Sequence, residues 1–553
     1  MKTCITIGML SLLLTGLATS FTLGQDLPFT FRDVGSESGL LPAAAGIRGH
    51  AAAWGDVDNN GYPDLFIGTF HDSGSKAGML LRNDQGKFTL DPQQAVQTSG
   101  SGSGALMADF TNDGNLDLFV ANCVNRKEGV RANPSRLFRN DGDGKFTDVS
   151  EQSGTCPPGY AGRGAAALDY DGDGLLDLLT CEQYYSSDVE RGPVLYRNLG
   201  DMRFEDVSKQ AGLPVGLGGL GVAVADLNGD TIPDIFLTHG QGEHRLLLGS
   251  KEGVFREAPG AREVFRWTLD NPEDAPAGVA IGDINRDQLP DIVIGHHFSS
   301  PWKSPAPVRL YLNQGVTDGV PRFEEITAAA GLEPLQMKAP HVEIQDFDND
   351  GWPDIYVSIV KFKGDQPCPI IYRNLGQQDG VPKFEVTGWD VNDFPTKEDL
   401  AVKRTGAFFD KLIADHQIIY MAPGPTSDFD RDGKLDMFLP NWWIESPSLL
   451  LKNETPGGNW LQVTVQGSDP INRMGIGTRV NVYPAGKLGQ NEHLIGSREI
   501  AIGYGYCSGQ EAVVHFGLGD IEKVDLEFIH PHDSGRTTGT ELTVNRRVDM
   551  KMP

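Results

Sequence analysis

The sequence predicts an all-β protein, a seven-bladed β-propeller followed by a small C-terminal β domain. Three observations lead to this fold class. An Asp-rich nonapeptide recurs seven times, short strand-like segments flank every copy, and no segment shows sustained helical periodicity. The 553-residue chain also contains 68 Gly and 34 Pro, which suits a fold made of many short strands and turns.

The nonapeptide is clearest at residues 346–354, DFDNDGWPD, where four carboxylates fall within nine residues. Two carboxylates 4–5 Å apart repel by roughly 3–4 kcal/mol at an effective dielectric constant near 20, so their charge needs compensation. Successive copies start 53, 60, 57, 57, 63 and 82 residues apart. The seven loops, numbered 1 to 7 in chain order, begin at Asp56, Asp109, Asp169, Asp226, Asp283, Asp346 and Asp428.

Each copy lies in the same frame of four predicted strands. A small-residue strand such as GLGVAVAD precedes it, and a short apolar strand such as IFLT follows. A third strand, for example LYRNLG, and a fourth, for example RFEDVS, complete the unit. Four short strands per repeat are typical of a propeller blade. A fourth-strand sequence also stands ahead of the first loop, from Phe29 to Leu40, and the seventh repeat has none of its own. We therefore expect the N-terminal strand to complete blade 7 and remove an exposed sheet edge.

The nonapeptide predicts calcium as the cofactor, with up to seven structural sites. Positions 1, 3, 5 and 9 carry side-chain oxygens, and position 7 offers a backbone carbonyl. Such an all-oxygen set suits Ca²⁺ better than octahedral Mg²⁺. The alternative is that Asp and Asn only form Asx-turns between strands. The predicted ligands are Asp56, Asp58, Asn60, Tyr62, Asp64, Asp109, Thr111, Asp113, Asn115, Asp117, Asp169, Asp171, Asp173, Leu175, Asp177, Asp226, Asn228, Asp230, Ile232, Asp234, Asp283, Asn285, Asp287, Leu289, Asp291, Asp346, Asp348, Asp350, Trp352, Asp354, Asp428, Asp430, Asp432, Lys434 and Asp436.

Loops 4 and 5 are predicted to bind calcium most weakly. Both place Asn at position 3, and both lack the position-6 Gly that allows the sharp turn. Thr231 and Gln288 occupy that position instead.

The repeats resemble FG-GAP/VCBS repeats, the calcium-binding propeller blades of integrin α-subunit heads. The resemblance covers residues 27–455. From Asn459, NWLQVTVQGSDPINRMGIGTRVNVYPAGK and the segments that follow resemble the ASPIC/UnbV domain, predicted over residues 459–553. Together these features are similar to the cartilage acidic protein family. HPHDSG replaces that domain's usual Trp-Pro-Ser-Gly turn. The resemblance implies an exported protein that acts in extracellular binding and adhesion.

Charge and the N-terminal residues bound the partners. A formal net charge of −28 argues against nucleic acid and against anionic lipid. Residues 1–20 fit a signal peptide, because Lys2 precedes an apolar run from Ile5 to Leu17. We expect a secreted, extracellular or periplasmic monomer without a further membrane anchor. One disulfide bond is expected among Cys123, Cys156 and Cys181.

The loops after the second strands emerge on the face opposite the calcium loops, and we expect a glycan or protein ligand there. Arg126, Lys127, Arg131 and Lys303 add positive charge to this face. The alternative is that the aromatic residues pack between blades. The candidate ligand-binding residues are Tyr184, Tyr185, His296, His297, Trp302, Trp442 and Trp443.

An enzymatic alternative rests on His50, Arg163 and His341, which lie near the starts of first strands. If they converge at the mouth of the central channel, they would supply a base and a cation for a polysaccharide lyase. We assign no catalytic residue from the sequence. The insertion from Leu375 to Ser427 is predicted to be partly helical and to cap one face.

Overall fold

A computed structural model describes residues 27–552, except 71–73, 124–133, 159–161, 183–191, 270, 272–273, 403–411, 413–414, 416, 421–422 and 445. The predicted signal peptide, residues 1–20, lies outside this part. Among the described residues, no helix is both long enough and apolar enough to cross a membrane.

Seven sheets follow one another along the described chain, and in each a nonapeptide loop joins the first strand to the second. Position 9 of every loop is the first residue of the second strand. The first described strand is β1 (Phe31–Asp33), which belongs to the last sheet. Sheet 1 consists of β2 (Gly49–Gly55), β3 (Asp64–Thr69), β4 (Met79–Asp84) and β5 (Lys87–Leu90). Sheet 2 consists of β6 (Gly102–Ala108), β7 (Asp117–Asn122), β8 (Arg136–Asn140) and β9 (Phe146–Asp148). Sheet 3 consists of β10 (Gly162–Leu168), β11 (Asp177–Glu182), β12 (Val194–Asn198) and β13 (Phe204–Asp206).

Sheets 4 to 7 repeat the antiparallel arrangement. They consist of β14 (Val222–Ala225), β15 (Asp234–Leu237), β16 (Arg245–Leu248) and β17 (Arg256–Glu257); β18 (Pro276–Gly282), β19 (Asp291–His296), β20 (Arg309–Thr317) and β21 (Val320–Glu325); β22 (Val342–Gln345), β23 (Asp354–Lys363), β24 (Gln366–Gln378) and β25 (Val381–Thr387), with β26 (Ile418–Tyr420) beside β23; and β27 (Thr426–Ser427), β28 (Asp436–Leu439) and β29 (Leu449–Asn453). The helices are short: α1 (Ser150–Ser153), α2 (Ala261–Val264), α3 (Thr327–Ala330), α4 (Lys397–Ala401) and the 3-10 turns Trp389–Val391, Asn491–His493 and Pro531–Asp533.

The N-terminal strand completes sheet 7, as the sequence predicts. β1 pairs antiparallel with β29, with Phe31 opposite Asn453 and Asp33 opposite Leu451. The outermost strand of sheet 7 therefore comes from the beginning of the chain. This pairing satisfies backbone groups of β29 that would otherwise form a free sheet edge.

Apolar side chains fill the space between each pair of neighbouring sheets. Phe66 and Met107, for example, pack between sheets 1 and 2, while Phe236 and Phe265 pack between sheets 4 and 5. Trp54 lies in the core between sheets 7 and 1, where its Nε1 donates to the Pro425 carbonyl at 3.1 Å. Because the last sheet packs against the first, the sheets form a closed ring, which is the architecture of a β-propeller.

A C-terminal module, Asn459 to Met552, contains two further sheets. One has the strand order β34-β30-β37 and the other the order β32-β31-β35-β36. Their apolar faces share a core that is continuous with the core between sheets 2 and 3. The strands are β30 (Asn459–Gln466), β31 (Arg479–Pro484), β32 (Gly496–Glu499), β33 (Ser508–Gly509), β34 (Val514–Gly519), β35 (Lys523–Ile529), β36 (Arg536–Thr543) and β37 (Arg546–Lys551).

One part of this module, residues 502–510, enters the centre of the ring, and we call it the channel segment. Its strand β33 pairs in parallel with β2, the inner strand of sheet 1. On the other side, Gly505 exchanges backbone hydrogen bonds of 2.8 and 2.9 Å with Val279 of sheet 5. Gly503 lies so close to sheet 3 that a Cβ there would stand 2.1 Å from the Ala165 carbonyl oxygen. The channel segment therefore fills the space between the inner strands.

The insertion between loops 6 and 7 is partly helical, as predicted, with the 3-10 turn Trp389–Val391 and α4, but its predicted start at Leu375 is wrong, and so is the predicted disulfide bond. Residues from Leu375 onward continue β24 and then form β25, the fourth strand of sheet 6, so the inserted part begins after Thr387. The structure records no disulfide bond among the described cysteines. Cys156 and Cys181 are buried in different cores, one between sheets 2 and 3 and the other between sheets 3 and 4, which keeps them apart.

Candidate functional site

Six of the seven nonapeptide loops share one pattern of hydrogen bonds, which loop 6 illustrates, and loop 3 differs only in that Asp169 accepts from the position-4 N–H of Gly172, at 2.8 Å, in place of the position-5 N–H. The position-1 carboxylate, Asp346, accepts from the backbone N–H groups of Asp350 and Gly351 at 3.2 and 2.8 Å. The position-9 carboxylate, Asp354, accepts from Phe347 N–H at 3.2 Å and from Asn374 N–H at 2.8 Å. These bonds tie the two ends of the loop together and attach them to the third strand, so the loop geometry is fixed by the sheet.

Position 6 adopts a left-handed backbone conformation in every loop. Gly351 has φ 92°, and Thr231 and Gln288, which replace Gly in loops 4 and 5, have φ 69° and 73°. A side chain in this conformation costs roughly 1–2 kcal/mol, which Gly avoids. The turn is therefore preserved in loops 4 and 5 in spite of their sequence.

The structure brings together only part of each predicted ligand set. Carboxylates at positions 1, 3 and 9 lie within 4.8 Å of one another in loops 1, 3, 6 and 7 of the described chain. Position-5 carboxylates are not part of these groups. They accept from the N–H of position 7 instead, as Asp350 does from Trp352 at 2.8 Å. The position-7 carbonyl ligands remain a prediction. The four groups are Asp56, Asp58 and Asp64; Asp169, Asp171 and Asp177; Asp346, Asp348 and Asp354; and Asp428, Asp430 and Asp436.

Loops 2, 4 and 5 carry Thr111, Asn228 and Asn285 at position 3, so they bring fewer carboxylates together. By this criterion loop 2 resembles loops 4 and 5, for which the sequence predicts the weakest calcium binding. In loops 4 and 5 the position-3 amide donates to the position-5 carboxylate, Asn228 to Asp230 at 3.0 Å and Asn285 to Asp287 at 2.9 Å.

Buried oxygens without partners show that these loops fit a divalent cation. Among the described residues, the Oδ1 atoms of Asp171, Asp348 and Asp430 are buried and have no hydrogen-bond partner. All three belong to position 3. A buried carboxylate oxygen without a donor is costly unless a cation stands nearby. Hard oxygen ligands of this kind suit Ca²⁺.

The acidities of the loop carboxylates point the same way. Burial raises the pKa of Asp64 to about 7 and that of Asp117 to about 8. Asp354 and Asp436 are buried more deeply, and burial raises the pKa of each well above its usual value. Ionised carboxylates in these positions need a neighbouring positive charge, which a bound cation would supply.

A ring of asparagine side chains, which was not predicted from the sequence, joins successive sheets. Asn198, at the end of strand three in sheet 3, donates through Nδ2 to Phe110 O in loop 2 at 2.8 Å. The same bond links every other pair of neighbours except loop 3 and sheet 4, where Gly249 takes the Asn position. The repeated Arg-Asn and Lys-Asn pairs at the ends of third strands are the signal that could have revealed it. The other donors are Asn83, Asn140, Asn313, Asn374 and Asn453.

The C-terminal module covers the face that carries the loops. His532 Nε2 lies 2.8 Å from Asp169 O in loop 3, and His515 Nε2 lies 2.7 Å from Asn349 Oδ1 in loop 6. Gln462 donates to the position-1 carboxylate of loop 7, Asp428, at 2.8 Å. Loops 2, 4 and 5 also hydrogen-bond to the module, through Arg473 N to Asn112, Asp533 N to Thr231, and Arg286 to Leu494 O. Six of the seven loops therefore touch it.

The three residues of the enzymatic alternative come to the channel but are buried there. His50 and Arg163 lie 3.5 Å apart between Nε2 and Nη1, and both side chains are almost fully buried. His341 accepts from Tyr506 N–H at 3.1 Å through Nδ1, and its Nε2 lies 3.2 Å from Glu343 Oε1. Tyr506 of the channel segment thus packs against both His341 and His50, and the three residues are buried at the channel and do not line an accessible site.

The candidate ligand-binding residues are divided by the structure. His296 is fully buried, with Nε2 3.1 Å from Ala306 O, and it packs against Phe298; its predicted place on the ligand face is wrong. His297, Trp302, Trp442 and Trp443 are half-buried, and Lys303 is exposed. Trp442 contacts His50 and Phe70, with ring centroids 5.2 and 5.0 Å apart. The remaining candidates, Tyr184, Tyr185, Arg126, Lys127 and Arg131, lie outside the described residues.

The repeated strand–loop–strand units and the module that covers them agree with two family models. Residues 56–120, 127–180, 184–237 and 283–357 match the FG-GAP-like repeat, and residues 468–553 match ASPIC and UnbV. The chain is therefore an FG-GAP-repeat β-propeller protein with a C-terminal ASPIC/UnbV domain.

Three relatives are similar to this chain in sequence over most of its length. It is 26% identical to cartilage acidic protein 1 of Homo sapiens over 509 residues, which cover 86% of this chain and 68% of the human protein. Identity to cartilage acidic protein 1 of Mus musculus is 26% over 455 residues, covering 78% and 62%. The Xenopus tropicalis protein is 25% identical over 529 residues, covering 90% and 73%.

Solved structures resemble the chain more distantly. The BP39L lectin from Burkholderia pseudomallei is 13% identical, with 75% of this chain and 98% of the lectin covered and a TM-score of 0.41. A rhamnogalacturonan lyase from Bacillus licheniformis is 12% identical, with 75% and 74% covered and a TM-score of 0.37.

Proposed function

We propose that this protein is an exported, monomeric, seven-bladed propeller over residues 27–455, with an ASPIC/UnbV-like domain over residues 459–553, that binds an extracellular glycan or protein. Calcium in the nonapeptide loops has a structural role. The relatives carry the name cartilage acidic protein 1, and this chain is itself acidic, with a net charge of −28.

The observation that carries the structural role of calcium is the module on the loop face. Six loops hydrogen-bond to the module. In loops 7 and 3 the bonding residues, Asp428 and Asp169, are themselves predicted calcium ligands. The module lies over much of this face, so these loops contact the protein itself. A cation there holds the loop carboxylates together and keeps the docking surface in shape.

The opposite face remains for the ligand. It carries the half-buried side chains of His297, Trp302 and Trp442, together with the exposed Lys303. Aromatic rings stack on sugars and on apolar protein groups, while a lysine adds attraction for acidic ligands. Adhesion would follow from such binding at a surface.

Binding and catalysis are distinguished by one experiment. The mature protein is passed over immobilised neutral and acidic polysaccharides in calcium and in EDTA, and retention and released oligosaccharide are both measured. We expect the wild-type protein to be retained without release of oligosaccharide, and to be retained more weakly in EDTA than in calcium. The variants Trp302→Ala and Lys303→Ala should be retained more weakly still. Lys551→Ala, an exposed charge on the module, is the matched control. Release of oligosaccharide would overturn the proposal in favour of a lyase, and unchanged retention in both face variants would overturn the assignment of the face.

A further inference from the structure

In loops 3, 6 and 7, a cation from the third strand of the same sheet holds the position-3 carboxylate. Arg197 Nε lies 2.7 Å from Asp171 Oδ2. Arg373 donates to Asp348 Oδ2 through Nε at 3.1 Å and through Nη2 at 2.9 Å. In loop 7 the equivalent contact joins Lys452 Nζ to Asp430 Oδ2. One oxygen of each carboxylate is thus fixed by a positive charge.

The second oxygen of these same carboxylates has no partner in the described part of the chain. Oδ1 of Asp171, Asp348 and Asp430 is buried, while Oδ2 lies beside the cation. Arg373 hydrogen-bonds to Oδ2 of Asp348, whereas Arg197 contacts Asp171 as an ion pair and donates its hydrogen bond to Asp173 Oδ2 at 3.2 Å. An ordinary ion pair would leave the second oxygen to water or to a backbone N–H. A carboxylate held on one side and bare on the other is the arrangement of a metal ligand oriented by an outer partner.

In the sequence, this cation accompanies an Asp at position 3 of the loop. It occupies the residue before the third-strand Asn, and it is present in every loop that has Asp at position 3. In sheets 4 and 5, where position 3 is Asn, the equivalent residues are Leu248 and Leu312. In sheet 2, where position 3 is Thr111, the equivalent Arg139 bonds to Asp141 instead, at 2.6 Å.

We propose that Arg197, Arg373 and Lys452 are positioning residues that clasp Oδ2 of the position-3 carboxylate and so present Oδ1 to a divalent cation. The inference rests on the calcium sites of the proposed function. Arg82 in sheet 1 takes a lesser part. Its Nη1 is 3.8 Å from Asp58 Oδ2, and its Nε is engaged with Asp91 at 2.6 Å.

Whether metal affinity rises or falls when the cation is removed distinguishes this role from simple charge compensation. A tethered cation that only neutralises the loop also repels Ca²⁺, so its removal would tighten metal binding. A residue that orients a ligand has the opposite effect, because loss of an outer-shell partner typically weakens metal affinity 10–100-fold. Replacing the cation with an uncharged residue of similar length therefore gives opposite results in the two cases.

Loop 6 contains its own reporter for the test, because Trp352 stands at position 7. The full mature protein is freed of metal and titrated with Tb³⁺, a luminescent substitute for Ca²⁺, with tryptophan excitation; Ca²⁺ then displaces it. The signal lost in Trp352→Phe comes from metal bound next to this side chain, which stands in loop 6 and stacks on Arg286 of loop 5 at 4.6 Å. We expect Arg373→Met to raise the loop 6 midpoint about 10–100-fold, Arg373→Lys to restore much of the affinity, and Arg139→Met to change nothing.

Other results would overturn the inference. An unchanged or lower midpoint in Arg373→Met would reject the positioning role while leaving the calcium sites in place. Absence of any bound Ca²⁺ in the wild-type protein, measured by elemental analysis at millimolar calcium, would reject both the sites and this inference. If Arg373→Met does not fold, Lys452→Met in loop 7 is compared with Arg139→Met by the number of Ca²⁺ ions retained at fixed free calcium, and equal numbers reject the inference.

Discussion

Arg431 in loop 7 donates from Nε to the Gly61 carbonyl of loop 1 at 2.9 Å, which joins the last loop to the first. Position-4 side chains make the same link elsewhere, as Asn112 does to Gly174 O at 2.8 Å. Arg431 also pairs with Glu511 of the C-terminal module at 2.9 Å. One side chain thus closes the ring and fastens the module to it.

Loss of this side chain is expected to be strongly destabilising. Burial alone would raise the pKa of the Glu511 carboxyl, but Arg431 and Arg547 hold that pKa below its usual value. Arg431→Leu leaves that carboxylate with Arg547, at 3.6 Å, as its one remaining cationic partner, beside the hydrogen bond from Ser427 Oγ at 2.6 Å. We expect the free energy of unfolding to fall by about 3–5 kcal/mol in denaturant titration. The double variant Arg431→Leu/Glu511→Gln should recover part of this loss, and equal stability of the single and double variants would contradict the explanation.

The asparagine ring gives a second prediction. Asn198→Ala removes hydrogen bonds from Asn198 Nδ2 to Phe110 O at 2.8 Å and to Leu176 O at 2.9 Å, and leaves both carbonyls buried. We expect a loss of about 2–3 kcal/mol in the free energy of unfolding. Asn491→Ala, in an exposed turn, is the control. A loss below about 0.5 kcal/mol, the range of ordinary surface substitutions, would show that the ring contributes little to stability.

Backbone strain in loop 5 can be relieved. Gln288 has φ 73°, and its N–H donates to Asp283 Oδ2 at 2.9 Å, a bond that Gly retains. We expect Gln288→Gly to raise the free energy of unfolding by about 1 kcal/mol. The converse variant Gly351→Ala, at φ 92°, should be destabilising. Both are measured by thermal unfolding in excess calcium, and a lower melting temperature for Gln288→Gly would refute the account.

Acid should destabilise the protein through a buried histidine far from the loops. His244 is fully buried, and its Nδ1 accepts from His239 N–H at 3.1 Å. Burial, with smaller effects of His239, Arg309 and Arg245, lowers the pKa of His244 to about 3. The unfolded chain, with a pKa near 6.5, binds this proton first, so stability is lost as pH falls below about 6.5.

His244→Asn keeps the acceptor and removes the titration. Its free energy of unfolding should fall less steeply between pH 6.5 and 5 than that of the wild type, by up to about 1.4 kcal/mol per pH unit. Denaturant titrations at pH 5, 6 and 7 measure the two slopes. Parallel slopes would show that His244 is not the group responsible.

Calcium removal should loosen the channel segment as well as the loops. Each site filled at 100 times its dissociation constant stabilises the fold by about 2.7 kcal/mol. EDTA should therefore lower the melting temperature and increase amide hydrogen exchange at Tyr506 and Ser508, because the module docks on the loops. Excess magnesium alone should not restore protection. Unchanged exchange in the channel segment would separate module docking from metal binding.

Much of the fold is readable from local sequence. The position-9 carboxylate, for example that of Asp354, accepts hydrogen bonds from two backbone N–H groups. These bonds fix the length of the loop, so every loop has the same nine-residue sequence pattern. The N-terminal strand was predicted because Phe29 to Leu40 reads as a fourth strand, and it pairs with β29 as expected. Such features depend on neighbours in sequence or on a regular repeat.

Other features depend on distant contacts that no local pattern encodes. His341 and Tyr506 meet although 165 residues separate them, so the blocked channel could not be foreseen. His296 lies in a polar-looking loop sequence, yet sheet packing buries it between Trp267 and Phe298. Cys156 and Cys181 belong to different cores, which chain proximity alone does not reveal.

The pairing of β1 with β29 also has a consequence for the order of assembly. Arg32 meets Glu454, 422 residues later, so sheet 7 cannot be finished until almost the whole propeller has been synthesised. Residues 502–510 are made later still, and they must reach the centre of the ring. Contacts this distant in sequence slow folding, because a long loop has to close before they stabilise anything. Until the chain through Asn453 has been synthesised the ring therefore stays open, and residues 502–510 fill its centre only afterwards.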